Sequence, residues 1–281
     1  MGMFHVAKMK TSDFLFAIQL ANTMGWNMTK KDFEFMVKLE PQGCFIQFLY
    51  NERVGIATTI SFGKVGWFGN FIVKETARGE GAGSLLLEKA IAYLQKNDVK
   101  TIGLYAYPHL VKFYEHFGFK SDIIFSVLKG KPNFPAAQDS LKAATKLNIP
   151  ELVELDRKCF GANRKKLLES LLLNKSNLCY ISTKNSEITG YVAAKVYDKM
   201  AEIGPLISHA KRIEDALMLL KTVLRRLNGF EVFMYIPQKE TELLNLLHAM
   251  GFKEEFSLVR MFLGPGIVKK CIYAAESLER G

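Results

Sequence analysis

One spacing recurs in this chain and limits what it can fold into. Gly118-Phe119-Lys120 returns as Gly251-Phe252-Lys253, and residues 73–87 overlay 206–220, both at an offset of 133. A single offset held over two separate segments implies a duplicated domain. At 281 residues the chain has room for two domains of ordinary size. Each copy must then close its own core with the same order of elements.

The residue pattern predicts that order. Thr11-Ser12-Asp13 offers capping chemistry for a first helix, and Thr29 opens a second that ends at Pro41. Residues 43–50 and 54–62 are rich in β-branched and aromatic residues and read as a hairpin, with 65–73 a third strand. Residues 83–97 form a periodic helix in which Leu86, Leu87, Ala90, Ile91 and Leu94 share a face. A strand at 101–105, a helix at 108–117 and a strand at 121–128 follow. Beyond a proline-bearing segment, helices at 149–160 and 165–173 are followed by strands at 178–182, 189–197 and 201–207. A helix at 213–228, a strand at 231–236, a helix at 239–250 and a strand at 257–263 complete the second copy. The expected boundaries are 1–130 and 139–281, with a linker over 131–138.

Composition narrows the class. Hydrophobic residues make up 49% of the chain, which suits packed cores and argues against disorder. No apolar run is long enough for a membrane span, and the first residues lack a signal-peptide pattern. Cys44, Cys159, Cys179 and Cys271 show no metal-ligand spacing and read as free thiols in a reducing cytoplasm, with no metal expected. The formal charge of +10 favours anionic partners. No dense basic block accompanies it, so nucleic acid is not the expected partner.

The chemistry sits in residues 69–84. An extended strand runs into a turn holding Gly79, Gly81 and Gly83, and the turn opens a long helix. Glycines allow a backbone to approach a ligand, and a helix start presents unpaired N–H groups and about half a positive charge. The segment is therefore a phosphate or pyrophosphate cradle. It lacks the Lys-Ser/Thr of a P-loop. Its G-x-G-x-G spacing, after a hairpin strand, departs from the dinucleotide fingerprint. It does meet R-x-x-G-x-G, through Arg78, Gly81 and Gly83.

That last pattern resembles the coenzyme A loop of the GNAT acetyltransferase superfamily. Phe113-Tyr114-Glu115-His116-Phe117-Gly118-Phe119 is similar to the superfamily's second signature, and Gly25-Trp26-Asn27-Met28-Thr29 with Asp32 resembles its tandem-domain YitH-type branch. Phe160-Gly161, Arg164, Ile203-Gly204-Pro205-Leu206 and Arg260-Met261 look like recurrent positions of that branch's degenerate second domain. The resemblance implies an α+β fold of two tandem domains, each a mixed, mostly antiparallel twisted sheet flanked by helices. It implies acetyl-CoA as cosubstrate and acetyl transfer to an amine, expected to belong to a small molecule. Phe71, Ile72 and Val73 are then the strand facing the pantetheine arm, with the Val73 amide as oxyanion donor. The amides of Gly79, Glu80, Gly81, Ala82, Gly83 and Ser84, with Arg78, would hold the pyrophosphate.

Tyr114 would be the acid that protonates the leaving sulfur. Trp26 and Asn27 would border the acceptor. Tyr107 stands where relatives carry an asparagine that touches pantetheine, and Glu75 where proline is common. His109 and His116 read as surface histidines, and the strand over 65–73 offers Asn70 rather than a carboxylate base. A non-catalytic acyl-CoA sensor or interaction module is the alternative on the same fold, and either reading leaves room for a homodimer. In the second copy the offset maps Arg78 to Lys211, Gly79 to Arg212, Gly81 to Glu214, Gly83 to Ala216 and Tyr114 to Leu247. Acid at that helix start repels phosphate, so the second copy is expected to bind no coenzyme.

Overall fold

The computed structural model describes residues 4–134, 141–209, 213–267 and 271–281. Their contacts form two compact units, Met1–Leu104 with Arg280, and Tyr105–Glu279 with Gly281.

In the first unit the strands are β1 (Phe4–Lys8), β2 (Cys44–Leu49), β3 (Glu52–Phe62), β4 (Val65–Val73) and β5, which starts at Thr101 and runs to Ala106. They lie side by side in that order, antiparallel from β1 to β4 and parallel from β4 to β5. β1 is an element that the sequence pattern alone missed. Its five residues are too few for a clear alternation, and pairing with Phe45–Leu49 creates it.

Helices cover both faces of this sheet. α1 (Phe14–Asn22) and α2 (Lys30–Leu39) bury Phe14, Ala17, Phe33 and Met36 against Cys44, Ile46, Ile56 and Ile72. α2 starts where Thr29 and Asp32 cap one another, with Thr29 N–H donating to Asp32 Oδ2 at 2.8 Å. α3 (Ala82–Lys96) buries Leu86, Leu87, Ala90 and Leu94. Each such leucine contributes roughly 1.5–3 kcal/mol on leaving water.

The second unit repeats the scheme. It holds α4 (Val111–Glu115), β6 (Lys120–Gly130), β7 (Lys142–Ala143), α5 (Ile149–Phe160), α6 (Lys165–Leu172), β8 (Leu178–Lys184), β9 (Glu187–Val196) and β10 (Met200–Ser208). α7 (Ile213–Arg226), β11 (Glu231–Pro237), α8 (Thr241–Ala249), β12 (Lys253–Leu263) and β13 (Ile272–Ala274) follow. The strand path is β12-β6-β11-β10-β9-β8-β7, with β13 on β10. As in the first unit, a parallel step, here β10 to β11, spans the long helix.

The packing units and the repeated sequence blocks do not coincide. Residues 105–130 belong by sequence to the first block, yet their contacts group them with the second half. The reason is β6, which pairs antiparallel with β12 on one side and with β11 on the other. Of the expected linker, Phe134 is tied to Asn228 by two hydrogen bonds, and residues 135–138 lie outside the described residues.

Candidate acyl-donor site

The site is built on β4. Val73 pairs with Gly55 and Ile72 with Ile56, but Thr58 then pairs with Gly69, so β4 carries one extra residue at Asn70–Phe71. Asn70 takes the bulge in a left-handed conformation (φ 47°), and its buried Nδ2 donates to Thr58 Oγ1 at 3.1 Å. The ladder between β4 and β5 runs over Val65–Trp67 and Thr101–Gly103. Residues Phe68–Val73 extend past its end.

Backbone groups alternate between the two edges of a strand. Lys74 N–H bonds to the Val54 carbonyl at 2.7 Å, so Lys74 and Ile72 face β3. Val73 turns its N–H and C=O to the opposite edge, while Phe71 lies in the bulge, its ring 5.2 Å from that of Phe68. That edge can take an extended partner carrying amides of its own. Ile72 contributes differently, through a side chain buried beneath α1 and α2.

The chain leaves β4 through a tight turn. Arg78 Nε donates to the Val73 carbonyl at 3.0 Å. Gly79 (φ 78°) and Gly81 (φ 88°) follow, and a Cβ at either would meet nothing within 4 Å. These glycines supply conformation rather than room, since left-handed backbone costs other residues roughly 1–2 kcal/mol. Gly81 caps α3 with no side-chain hydrogen bond. The amides of Ala82, Gly83 and Ser84 therefore open the helix, beside exposed Arg78 and Glu80. This is an anion cradle continuous with an open strand edge.

The other expected site residues fall as follows. Trp26 is half-buried on the α1–α2 cluster. Asn27 is exposed with φ 52°, the turn-former of a loop that Asn22 pins through Met28 N–H (2.7 Å) and Met28 C=O (3.2 Å). In the second unit, Tyr107 stacks on His109 (5.8 Å) and packs against Phe256 (5.6 Å). Tyr114 is 4% exposed in α4, edge-on to Phe113 and Phe119. Burial pushes its phenol well above the ordinary value of 10, so it stays protonated. His109 and His116 are exposed.

The corresponding parts of the second half carry different chemistry. Glu214 and Asp215 occupy the first turn of α7, and Leu247 is fully buried where the first half has Tyr114. Lys211 and Arg212 lie outside the described residues. A cavity of about 440 Å³ is lined by Ile213, Glu240, Glu242 and Tyr273, among others. The charged residues buried deepest are paired: Arg164 forks onto Asp156 (3.0 and 2.7 Å), and Lys195 bonds Glu202 (2.7 Å) and Glu276 (3.1 Å). Among the described residues no cluster of metal-binding side chains occurs, and no helix is long and apolar enough to cross a membrane.

A bulged, open-edged strand that feeds an anion cradle at a helix start defines an acyltransferase of the GNAT type. The chain belongs to that family and carries two of its domains: residues 14–119 match the acetyltransferase (GNAT) family and 152–273 an acetyltransferase (GNAT) domain. It is 26% identical over 260 residues to a holothin acyltransferase of Pseudoalteromonas sp. (strain SANK 73390), covering 91% of this chain and 87% of that one. A candidate acetyltransferase from Pyrococcus horikoshii has the same fold at TM-score 0.84 and 21% identity, over 99% of this chain and 96% of that one. A tandem GNAT protein of the clavulanic acid biosynthesis pathway aligns at TM-score 0.63 and 14% identity, over 94% and 100%.

Proposed function

We propose that the protein is an acetyl-CoA-dependent N-acyltransferase that modifies the amine of a small molecule, working through its first copy. The observation that carries this reading is the continuity of the Val73 edge with the Gly79–Ser84 turn. The edge suits the pantetheine arm, and the turn suits the pyrophosphate. The holothin acyltransferase relative supports acyl transfer as the reaction, with acetyl as the group proposed here.

The reaction joins the amine nitrogen to the thioester carbonyl carbon and breaks the carbon–sulfur bond. The electron pair leaves on sulfur. The Val73 N–H, held by the strand, is aimed at the negative charge that develops on the carbonyl oxygen. Tyr114, kept neutral by burial, supplies the proton to the leaving thiolate, and the proton that the amine nitrogen sheds as the amide forms replaces it, so one proton passes in net from nitrogen to sulfur. Trp26 and Asn27 are assigned to the acceptor side. Glu214 and Asp215 disfavour a phosphate at the second helix start, so one coenzyme binds per chain. The protein is proposed to work in the cytoplasm.

Thermal unfolding with and without acetyl-CoA tests this. At 100 times Kd the ligand adds about 2.7 kcal/mol of stability. The shift should vanish in Gly81→Glu. Coenzyme release with a panel of amines then separates an enzyme from an acyl-CoA sensor: binding without turnover on any amine would favour the sensor.

A further inference from the structure

Gln47 sits in β2 between Val6 of β1 and Gly55 of β3, and is fully buried. It points to the α3 side of the sheet, as does Phe45, which meets Tyr93 of α3 edge-on at 5.7 Å. Its Nε2 donates to the Ala82 carbonyl at 2.8 Å. Its Oε1 accepts no hydrogen bond from the described residues. A second position is given over to this amide: a Cβ at Gly55 would stand 2.8 Å from Gln47 Oε1 and 3.2 Å from the Ile72 carbonyl oxygen.

Packing does not account for such a residue. A buried amide with one unsatisfied end costs roughly 1–3 kcal/mol against an apolar side chain of the same shape. What the amide holds is informative. The Ala82 carbonyl shares its peptide unit with the Gly83 N–H. Ala82 is the first residue of α3, so that N–H has no partner within the helix. A hydrogen bond to the carbonyl fixes the peptide plane and polarises it, which makes the N–H a stronger donor.

We infer that Gln47 is a positioning residue for the anion cradle, setting the Gly83 amide from beneath and so raising affinity for the phosphate-bearing end of acyl-CoA. The inference rests on the cradle's being the pyrophosphate site. It extends the binding machinery to the buried face of the sheet, behind the peptide that joins Ala82 to Gly83.

The test compares CoA with pantetheine, which has the same arm and no pyrophosphate. Kd for each is measured on the full chain, wild type and Gln47→Leu. Gln47→Leu should weaken CoA about five- to tenfold, leave pantetheine within twofold, and not lower Tm. Gln47→Met, of similar length and without a donor, should do the same and stands in if the leucine variant does not fold. Unchanged CoA binding in the variants, or equal weakening of both ligands, would overturn the role of Gln47 alone. A wild-type chain that does not bind CoA would overturn the cradle reading itself, and this inference with it.

Discussion

Arg78 Nε and the Val73 carbonyl are joined at 3.0 Å, so the cation at the mouth of the cradle is fastened to the residue whose N–H faces the open edge. Arg78→Ala should raise Kd for acetyl-CoA about tenfold, the size of one charge-assisted hydrogen bond. Arg78→Lys keeps the charge but loses the Nε donor, and should fall between. Wild-type affinity and kcat in the lysine variant would mean that charge alone matters and that the Val73 bond is incidental.

Gly81→Ala isolates the cost of backbone conformation. The added methyl meets nothing within 4 Å, yet φ stays at 88°. Stability should fall by about 1–2 kcal/mol, several degrees in Tm. Gly81→Asn, which tolerates the left-handed region better, should lose less. A Tm equal to wild type in the alanine variant would show that the turn relaxes freely.

Tyr114→Phe should lower kcat by about 10²–10⁴-fold if the phenol is the acid. Kd for acetyl-CoA should hold, because the ring keeps its contacts with Phe113 and Phe119. Burial raises the Tyr114 pKa, so no alkaline loss of activity below pH 10 should trace to this group. Equal kcat in the two proteins would leave Tyr114 as a core aromatic.

Alkali should destabilise the fold by a calculable route. Burial pushes the Cys179 thiol up from 9.0 to about 12, and burial with Glu40 nearby does the same for Cys44. Both pKa values are higher folded than unfolded, so the native state keeps protons that the unfolded chain gives up. The stabilising contribution is whole below pH 9 and is lost as pH rises through the window from 9 to 12. Urea unfolding under reducing conditions should give falling free energies from pH 8 to 11, with a shallower slope in the Cys44→Ala, Cys179→Ala double variant. A flat profile would contradict the burial argument.

The second copy should fail selectively at its buried ion pair. Arg164 is 1% exposed and forks onto Asp156, which also accepts from Tyr191 Oη at 2.6 Å. Arg164→Met strands that carboxylate and should cost about 3–5 kcal/mol. Arg164→Met with Asp156→Leu should recover most of the loss, as read by chemical denaturation. Additive losses would mean that the pair is not the unit that matters.

Local features of the sequence carried much of this architecture. The turn at Gly79 and Gly81 was legible because only glycine takes that backbone freely. The helix of Leu86, Leu87, Ala90 and Leu94 was legible from its periodicity. The bulge at Asn70 was not, because it is held by Thr58, twelve residues away across a ladder. Gln47 was equally silent, since a glutamine in a strand ordinarily faces water and only the approach of Ala82 gives it another meaning. The neighbours of β6 were hidden for a third reason: both of its partners lie more than a hundred residues downstream.

The position of β6 bears on how such a chain can evolve. A strand from the first repeat serves as the spine between two strands of the second half. Cutting the gene at the repeat boundary would strip that half of a central strand and leave the first fragment with an orphan one. Once the duplication had locked in this way, the second copy could lose its glycines and its tyrosine without becoming dispensable. The pairing of β6 alone is reason enough to keep the second half, whatever its helix start can bind.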